Sequence, residues 1–352
     1  MGTSTSWRSA CAVFGPVLLL AAALRSAPLD PSQGPQDPGP APLSQLADEF
    51  ERARLGADHA ALRALATPNA TAFSERGGEL AALGATWREG LVEAPASARG
   101  RLAPTTVVQR RVARDGRTAS VCELLRANGA AAAPVRRTLT CVEGEDGWRI
   151  THLHVSPYTR WRDEIEAFER QDASAPPEAG GIVFVGSSSI RRWDSLESDF
   201  ADLPVIERGF GGSQMLDSAL FAHRIVTPYR PRMVVVYAGD NDIAAGKGPQ
   251  EVLDDYLAFI AAVHGVLPEA KIAFIAIKPS LARWKLWPEM REANRMVADL
   301  AAGDPRLTYL DIASPMLGTD GAPRPELFVA DGLHLSPAGY ALWAATIRPA
   351  LD

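Results

Sequence analysis

Four short polar blocks in the second half of the chain hold every residue type that ester cleavage by a serine needs. They are Gly186-Ser187-Ser188-Ser189-Ile190, Gly209-Phe210-Gly211-Gly212-Ser213-Gln214, Gly239-Asp240-Asn241-Asp242 and Asp331-Gly332-Leu333-His334. A serine hydroxyl attacks only once a base takes its proton. His334 lies in a polar loop three residues after Asp331. That carboxylate is close enough to accept a hydrogen bond from the imidazole, fix its tautomer and stabilise the imidazolium. The tetrahedral intermediate carries a negative oxygen and needs preorganised donors. Gly212 offers a backbone N–H with no side chain in front of it, Asn241 a side-chain amide, and the nucleophile its own N–H. Each block taken alone has a plainer reading. Serines cap helices, Asn241 suits a turn, Asp331-Gly332 is an ordinary turn, and Asp240 with Asp242 lacks further ligands at metal spacing.

The elements that must hold these blocks are legible around them. IVFVG, PVIERGF, MVVVYAG, KIAFIAI and RLTYLDI are short apolar runs, separated by helical patterns such as EVLDDYLAFIAAVHGVL and PEMREANRMVADLAAG. Strands apolar throughout, alternating with helices, predict a parallel sheet covered on both faces. Ligands of such sheets bind at the carboxyl ends of the strands, where the first three blocks fall.

In this order and separation the blocks resemble those of the SGNH, or GDSL-type, hydrolase family, over Gly181 to Asp352. The resemblance implies an α/β fold: a flavodoxin-like three-layer αβα sandwich with a five-stranded parallel sheet. It implies Ser188 as nucleophile, His334 as base, Asp331 as its partner, and an oxyanion hole made by Ser188, Gly212 and Asn241. Acyl transfer would pass through an acyl-serine that water then cleaves, with no metal or organic cofactor. The family block often has Asp before the nucleophile, where this chain has Ser187. Family substrates span simple esters, lysophospholipids, thioesters and acetylated carbohydrates. The expected activity is that of an esterase or lysophospholipase-like enzyme, with a carbohydrate O-acetyl esterase as the alternative. Trp193, Trp284 and Trp287 either flank the cleft or are ordinary partly buried residues, and Ile277 to Asn294 is the expected specificity loop.

Residues 43–158 read as a separate α+β unit. Leu43, Leu46, Ala47, Phe50, Ala53 and Leu55 recur at helical spacing. A second helix is expected over His59 to Leu65 and a third near Glu79 to Val92. Four strand-like runs follow, TTVVQRRVA, TASVCELLRA, VRRTLTCVE and WRITHLHVS, with hairpin signals at Asp115-Gly116 and Glu145-Asp146-Gly147. This order and the phrase DGWRITHLHVS resemble the nuclear-transport-factor-2-like (SnoaL-like) family. That implies a cone-shaped domain with an inner pocket, and homodimerisation as one role. His152 and His154 share one sheet face, lining the cone or facing solvent. Cys122 and Cys141 form a disulfide or stay as two thiols.

The rest of the chain frames these units. The formal net charge of −6 over 352 residues excludes a nucleic-acid partner of the usual basic kind. Abundant Arg and Ala suggest a GC-rich, bacterial genome. Residues 1–27 hold an apolar run, Ala10 to Leu24, that suits a cleaved signal peptide or an uncleaved anchor. The expected location is therefore exported, with membrane association if the anchor stays. Residues 28–42 read as a Pro-rich disordered linker, 159–180 as a connecting helix and linker, and 181–352 as the hydrolase domain. The rival of another class is a non-catalytic binding protein that uses the NTF2-like pocket.

Overall fold

The computed structural model describes residues 41–56, 58–73, 80–82, 105–127 and 134–351. The leader, the linker up to residue 40 and most of the Glu79–Val92 segment lie outside the described residues.

Helix α1 (Ala41–Leu55) begins inside the expected linker, and its periodic face, Leu43, Leu46, Ala47, Phe50 and Ala53, is buried. Helix α2 (His59–Ala64) starts where Asp58 accepts hydrogen bonds from the N–H groups of Ala60 and Ala61. A six-stranded sheet follows: β1 (Ala66–Phe73), β2 (Leu80–Ala82), β3 (Thr105–Asp115), β4 (Thr118–Ala127), β5 (Val135–Gly144) and β6 (Gly147–Pro157), in the order β2-β1-β6-β5-β4-β3. Only β1 and β6 run parallel. The four expected strands are β3 to β6; β1 and β2 are additional. Of the segment expected as a third helix, Leu80–Ala82 is instead a strand, paired antiparallel with β1. The β1 sequence, ATPNATAF, buries only Ala70 and Ala72 toward the core, so hydropathy gives it no strand signal.

The apolar face of α1 packs on Val121, Leu139, Cys141, Ile150 and Leu153 of the sheet. Inside this layer the buried Glu123 carboxylate accepts from Arg110 (2.8 Å) and Arg137 (2.7 Å), and Arg137 also pairs with Glu51 of α1. Cys122 is exposed and Cys141 buried; they lie on opposite faces of β4 and β5, and both are free thiols rather than a disulfide. Burial pushes the Cys141 thiol up to about 12. His152 and His154 lie on the sheet face away from buried Leu153, and His152 Nδ1 bonds Thr71 Oγ1 at 2.8 Å.

Helix α3 (Arg162–Ser174) leads to the second sheet. Its strands, β7 (Ile182–Gly186), β8 (Val205–Gly209), β9 (Met233–Tyr237), β10 (Lys271–Ile275) and β11 (Leu307–Leu310), are all parallel, in the order β11-β10-β9-β7-β8. This is the flavodoxin-type order, whose switch point lies between the first and third strands, here β7 and β9. Alternation along the strands divides two cores. Val183, Val185, Val234, Val236, Ile272 and Phe274 face α6 (Met215–Ile225), α8 (Pro249–His264) and α9 (Trp287–Ala302). Ile182, Phe184, Val235, Tyr237 and Ile275 face the short helices α4 (Ser188–Arg191) and α5 (Leu196–Asp199) together with α10 (Pro337–Ile347). Each fully buried side chain of this size contributes about 1.5–3 kcal/mol. The remaining helix, α7 (Asp240–Ala244), follows β9. Trp193 belongs to the second core rather than to a cleft: it is buried, stacked on Tyr340 with centroids 5.3 Å apart, and donates Nε1–H to Asp199. The turn after α4 points it inward.

The two sheets meet along α6, where Tyr158 and Leu124 join the first core, and Arg111 of β3 pairs with Glu251 of α8. Among the described residues no helix is long and apolar enough to cross a membrane.

Candidate active site

Strand β7 ends on Gly186, whose φ is +149°, with its Cα against the β9 backbone. A Cβ there would stand 2.0 Å from the Tyr237 carbonyl oxygen, so only glycine lets the chain leave the sheet at this point. Ser187 N–H then donates to Tyr237 O at 3.1 Å, and α4 begins with Ser188. Ser187 and Ser189 are buried, at 2% and 1% exposure, with Ser189 Oγ 3.3 Å from Lys278 Nζ. Ser188 is the serine of the three that reaches His334, with Oγ 3.0 Å from Nε2.

The His334 ring is fixed from the other side, with Nδ1 2.6 Å from Asp331 Oδ2. Oδ1 of the same carboxylate accepts the N–H groups of Leu333 (2.8 Å) and His334 (2.9 Å). These bonds, the imidazole's first, hold the Asp331 carboxyl well below the usual carboxylate range. The loop itself is pinned by Val329 N–H to His334 O and Ala282 N–H to Gly332 O. A hydroxyl, an imidazole and a carboxylate in line can pass the serine proton to the ring.

Two further turns face the hydroxyl. Gly212, at φ +83°, follows β8 and lets the chain reverse with its N–H unencumbered. Neither Gly212 N–H nor Ser188 N–H has an acceptor among the described residues. Asn241, in α7, donates one amide hydrogen to Ser213 O at 3.0 Å, while Arg283 donates to its Oδ1 at 3.1 Å. The amide orientation is thereby set, and one N–H remains for a ligand. Ser188, Gly212, Asn241 and His334 all line one cavity of about 320 Å³. Asp331 stands behind the ring, 45% exposed.

The supporting shell was less legible. Asp242, which the sequence suggested only as a failed metal ligand, accepts Met215 N–H (3.1 Å) and Gly239 N–H (3.1 Å), tying the two donor turns together. Asp240 bridges buried Lys278 (2.6 Å) and Arg283. Burial opposes its charge, but the two cations outweigh that and keep the carboxyl below its ordinary value. From the first unit, Tyr158 O–H donates to Asp217 at 2.5 Å, and Asp217 accepts Gln214 N–H at 2.8 Å beside Gly212. Trp161 packs edge-on against Phe210, and its ring is 3.6 Å from where a Gly212 Cβ would stand. Of the segment 277–294, Arg283 lines the cavity; Trp284 and Trp287 stack on each other and do not line it.

One buried acid gives a pH prediction. Lys247 is shared between Asp242 (2.8 Å) and Asp255 (2.5 Å), and burial raises the Asp255 carboxyl to about 6. The folded protein therefore binds this proton more tightly than the unfolded chain between about pH 4 and about pH 6, and stability from this group falls as the pH rises through that window. Thermal unfolding midpoints at pH 5 and pH 7 should show this fall, and Asp255→Asn should reduce the difference. An identical difference in both proteins would contradict it.

Residues 181–342 match the GDSL-like lipase/acylhydrolase family. Similar solved structures include a GDSL-like lipase from Bacteroides thetaiotaomicron, at 19% identity over 53% of this chain and 96% of that one, TM-score 0.46. A catalytic mutant of an acetylxylan esterase from Geobacillus stearothermophilus is 17% identical over 49% of this chain and 94% of that one, TM-score 0.39. No curated protein matches the chain.

Proposed function

We propose that the C-terminal domain, an SGNH carboxylic ester hydrolase, attacks its substrate with Ser188. The observation that carries this reading is the 3.0 Å contact of Ser188 Oγ with His334 Nε2, backed by the 2.6 Å bond from the ring to Asp331. Ser188 Oγ adds to the carbonyl carbon while its proton passes to Nε2. The carbonyl oxygen becomes an oxyanion held by Ser188 N–H, Gly212 N–H and Asn241 Nδ2. Collapse expels the alcohol, which takes the proton from Nε2, and leaves an acyl-serine. Water adds in the same way, giving up a proton to Nε2, and the carboxylic acid leaves as Ser188 recovers its hydrogen.

The acyl group is short. Among the residues lining the cavity the one aliphatic side chain beyond glycine is Leu333, so a long chain would gain little by entering. This favours an O-acetyl esterase over a lysophospholipase. With p-nitrophenyl acetate, butyrate and octanoate, kcat/KM should fall with chain length, by about tenfold or more from acetate to octanoate, a loss of about 1.4 kcal/mol. Equal or better turnover of octanoate would overturn the short-acyl reading.

Residues 43–158 serve as an NTF2-like domain that braces the oxyanion turn rather than performing chemistry. The support is the sheet order, α1 across its face, and the contact of Tyr158 with Asp217, which holds the turn beside Gly212. The apolar run Ala10 to Leu24 supports export of the whole chain.

A further inference from the structure

The chain is acidic overall, at −6, yet the residues lining its cavity include three arginines and no carboxylate. Arg283 is already engaged by Asp240 and by Asn241 Oδ1. Arg191 and Arg192 are different. Neither takes part in an ion pair or a side-chain hydrogen bond among the described residues. Glu207 is the acid whose charge reaches Arg191; it accepts Gly209 N–H at 2.5 Å and does not line the cavity. Arg191 lies against Gly211, its Nη1 2.9 Å from where a Cβ would stand, so it borders the turn that carries Gly212. Both arginines follow directly from the nucleophile's own helical turn, three and four residues after Ser188. Positions so spaced are neighbours on one helix face, with Cβ atoms about 5–6 Å apart. Two guanidinium groups that line one cavity and make no ion pair among the described residues suit a planar or tetrahedral oxyanion held by N–H bonds.

We propose that this cavity selects esters that carry a second, negatively charged group, a carboxylate or a phosphate, bound by Arg191 and Arg192 about one helical turn from the scissile carbonyl. The proposal rests on Ser188 as the nucleophile. It goes beyond acyl length, since it assigns the charge of the part of the substrate that does not react.

The test uses three acetyl esters of phenols with the full chain: methyl 4-acetoxybenzoate (neutral), 4-acetoxybenzoate (carboxylate) and 4-acetoxyphenyl phosphate (phosphate). Differences in phenol reactivity cancel when the ratio of anionic to neutral kcat/KM is compared between protein variants. In Arg191→Gln/Arg192→Gln that ratio should fall about tenfold or more for at least one anion, and the anion with the larger fall identifies the group recognised. The wild-type ratio should also fall on going from 0.05 to about 0.5 M salt, where screening shortens the reach of the two charges. Arg191→Lys/Arg192→Lys keeps the charge and should retain part of the selectivity, which gives a second folded variant. Ratios unchanged in both double variants would overturn the proposal. Turnover of all three esters surviving in Ser188→Ala would instead overturn the nucleophile assignment beneath it.

Discussion

His334→Ala lowers kcat by about 10⁴- to 10⁶-fold with a much smaller change in KM, by analogy with single removals from serine triads. The ring is the only group within hydrogen-bond reach of Ser188 Oγ on the described side chains, at 3.0 Å, so no other base can take the proton at that point. Its removal leaves the donor turns in place, because Asp242 and Asn241, not His334, hold them. The oxyanion donors and substrate binding alone then account for the residual rate. Asp331→Ala should cost less than His334→Ala, since the base remains and only its tautomer and orientation are released. The Asp331 carboxyl is held well below the usual range by the ring and two backbone N–H groups. It therefore stays ionised throughout the ordinary assay range, and acid inactivation above about pH 4 is not its titration. Steady-state kinetics on p-nitrophenyl acetate check the order His334→Ala below Asp331→Ala below wild type. A His334→Ala protein within about tenfold of wild type would contradict it.

Asn241→Ala lowers kcat by about 10²- to 10³-fold, the usual cost of one oxyanion donor, with KM nearly unchanged. The reason is geometric. Arg283 on Oδ1 and Ser213 O on one N–H leave the second amide hydrogen as the preset donor. The interaction forms with the charge that develops in the transition state, so it moves kcat and not ground-state binding. Asn241→Asp is the sharper variant. It replaces the donor by an acceptor of similar size, and it should lose at least as much activity as the alanine. If Asn241→Ala changed KM in proportion while kcat held, the residue would be a substrate ligand and not an oxyanion donor.

The site was legible where a polar block follows an apolar strand. β7, β8 and β9 each announce themselves by composition, and the residue just past each is where a parallel sheet presents ligands. What sequence did not reveal depends on contacts between distant segments. Asp242 stands one residue after Asn241, yet its role emerges only when Met215 N–H is brought to it. Tyr158 ends the first unit and Trp161 follows it in the connector, and nothing local indicates that they pack beside the turn at Gly212. Arg191 and Arg192 follow the nucleophile in the chain, but that both line the cavity, with no carboxylate among its lining residues, is a tertiary fact. For Trp193 the sequence left two readings open, a cleft wall or ordinary burial, and the turn after α4 sends it into the core. β1 was missed because alanine and threonine leave no alternating hydropathy, and its pairing with β6 is set by long-range parallel contact.

The most direct measurement is the site of covalent capture. Incubating the full chain with a fluorophosphonate and mapping the adduct by peptide mass spectrometry should place one phosphonyl group on Ser188, with loss of ester turnover in step. The adduct should be absent in Ser188→Ala and form far more slowly in His334→Ala. An adduct on Ser187 or Ser189, or full turnover by a protein that the reagent leaves unlabelled, would contradict the account.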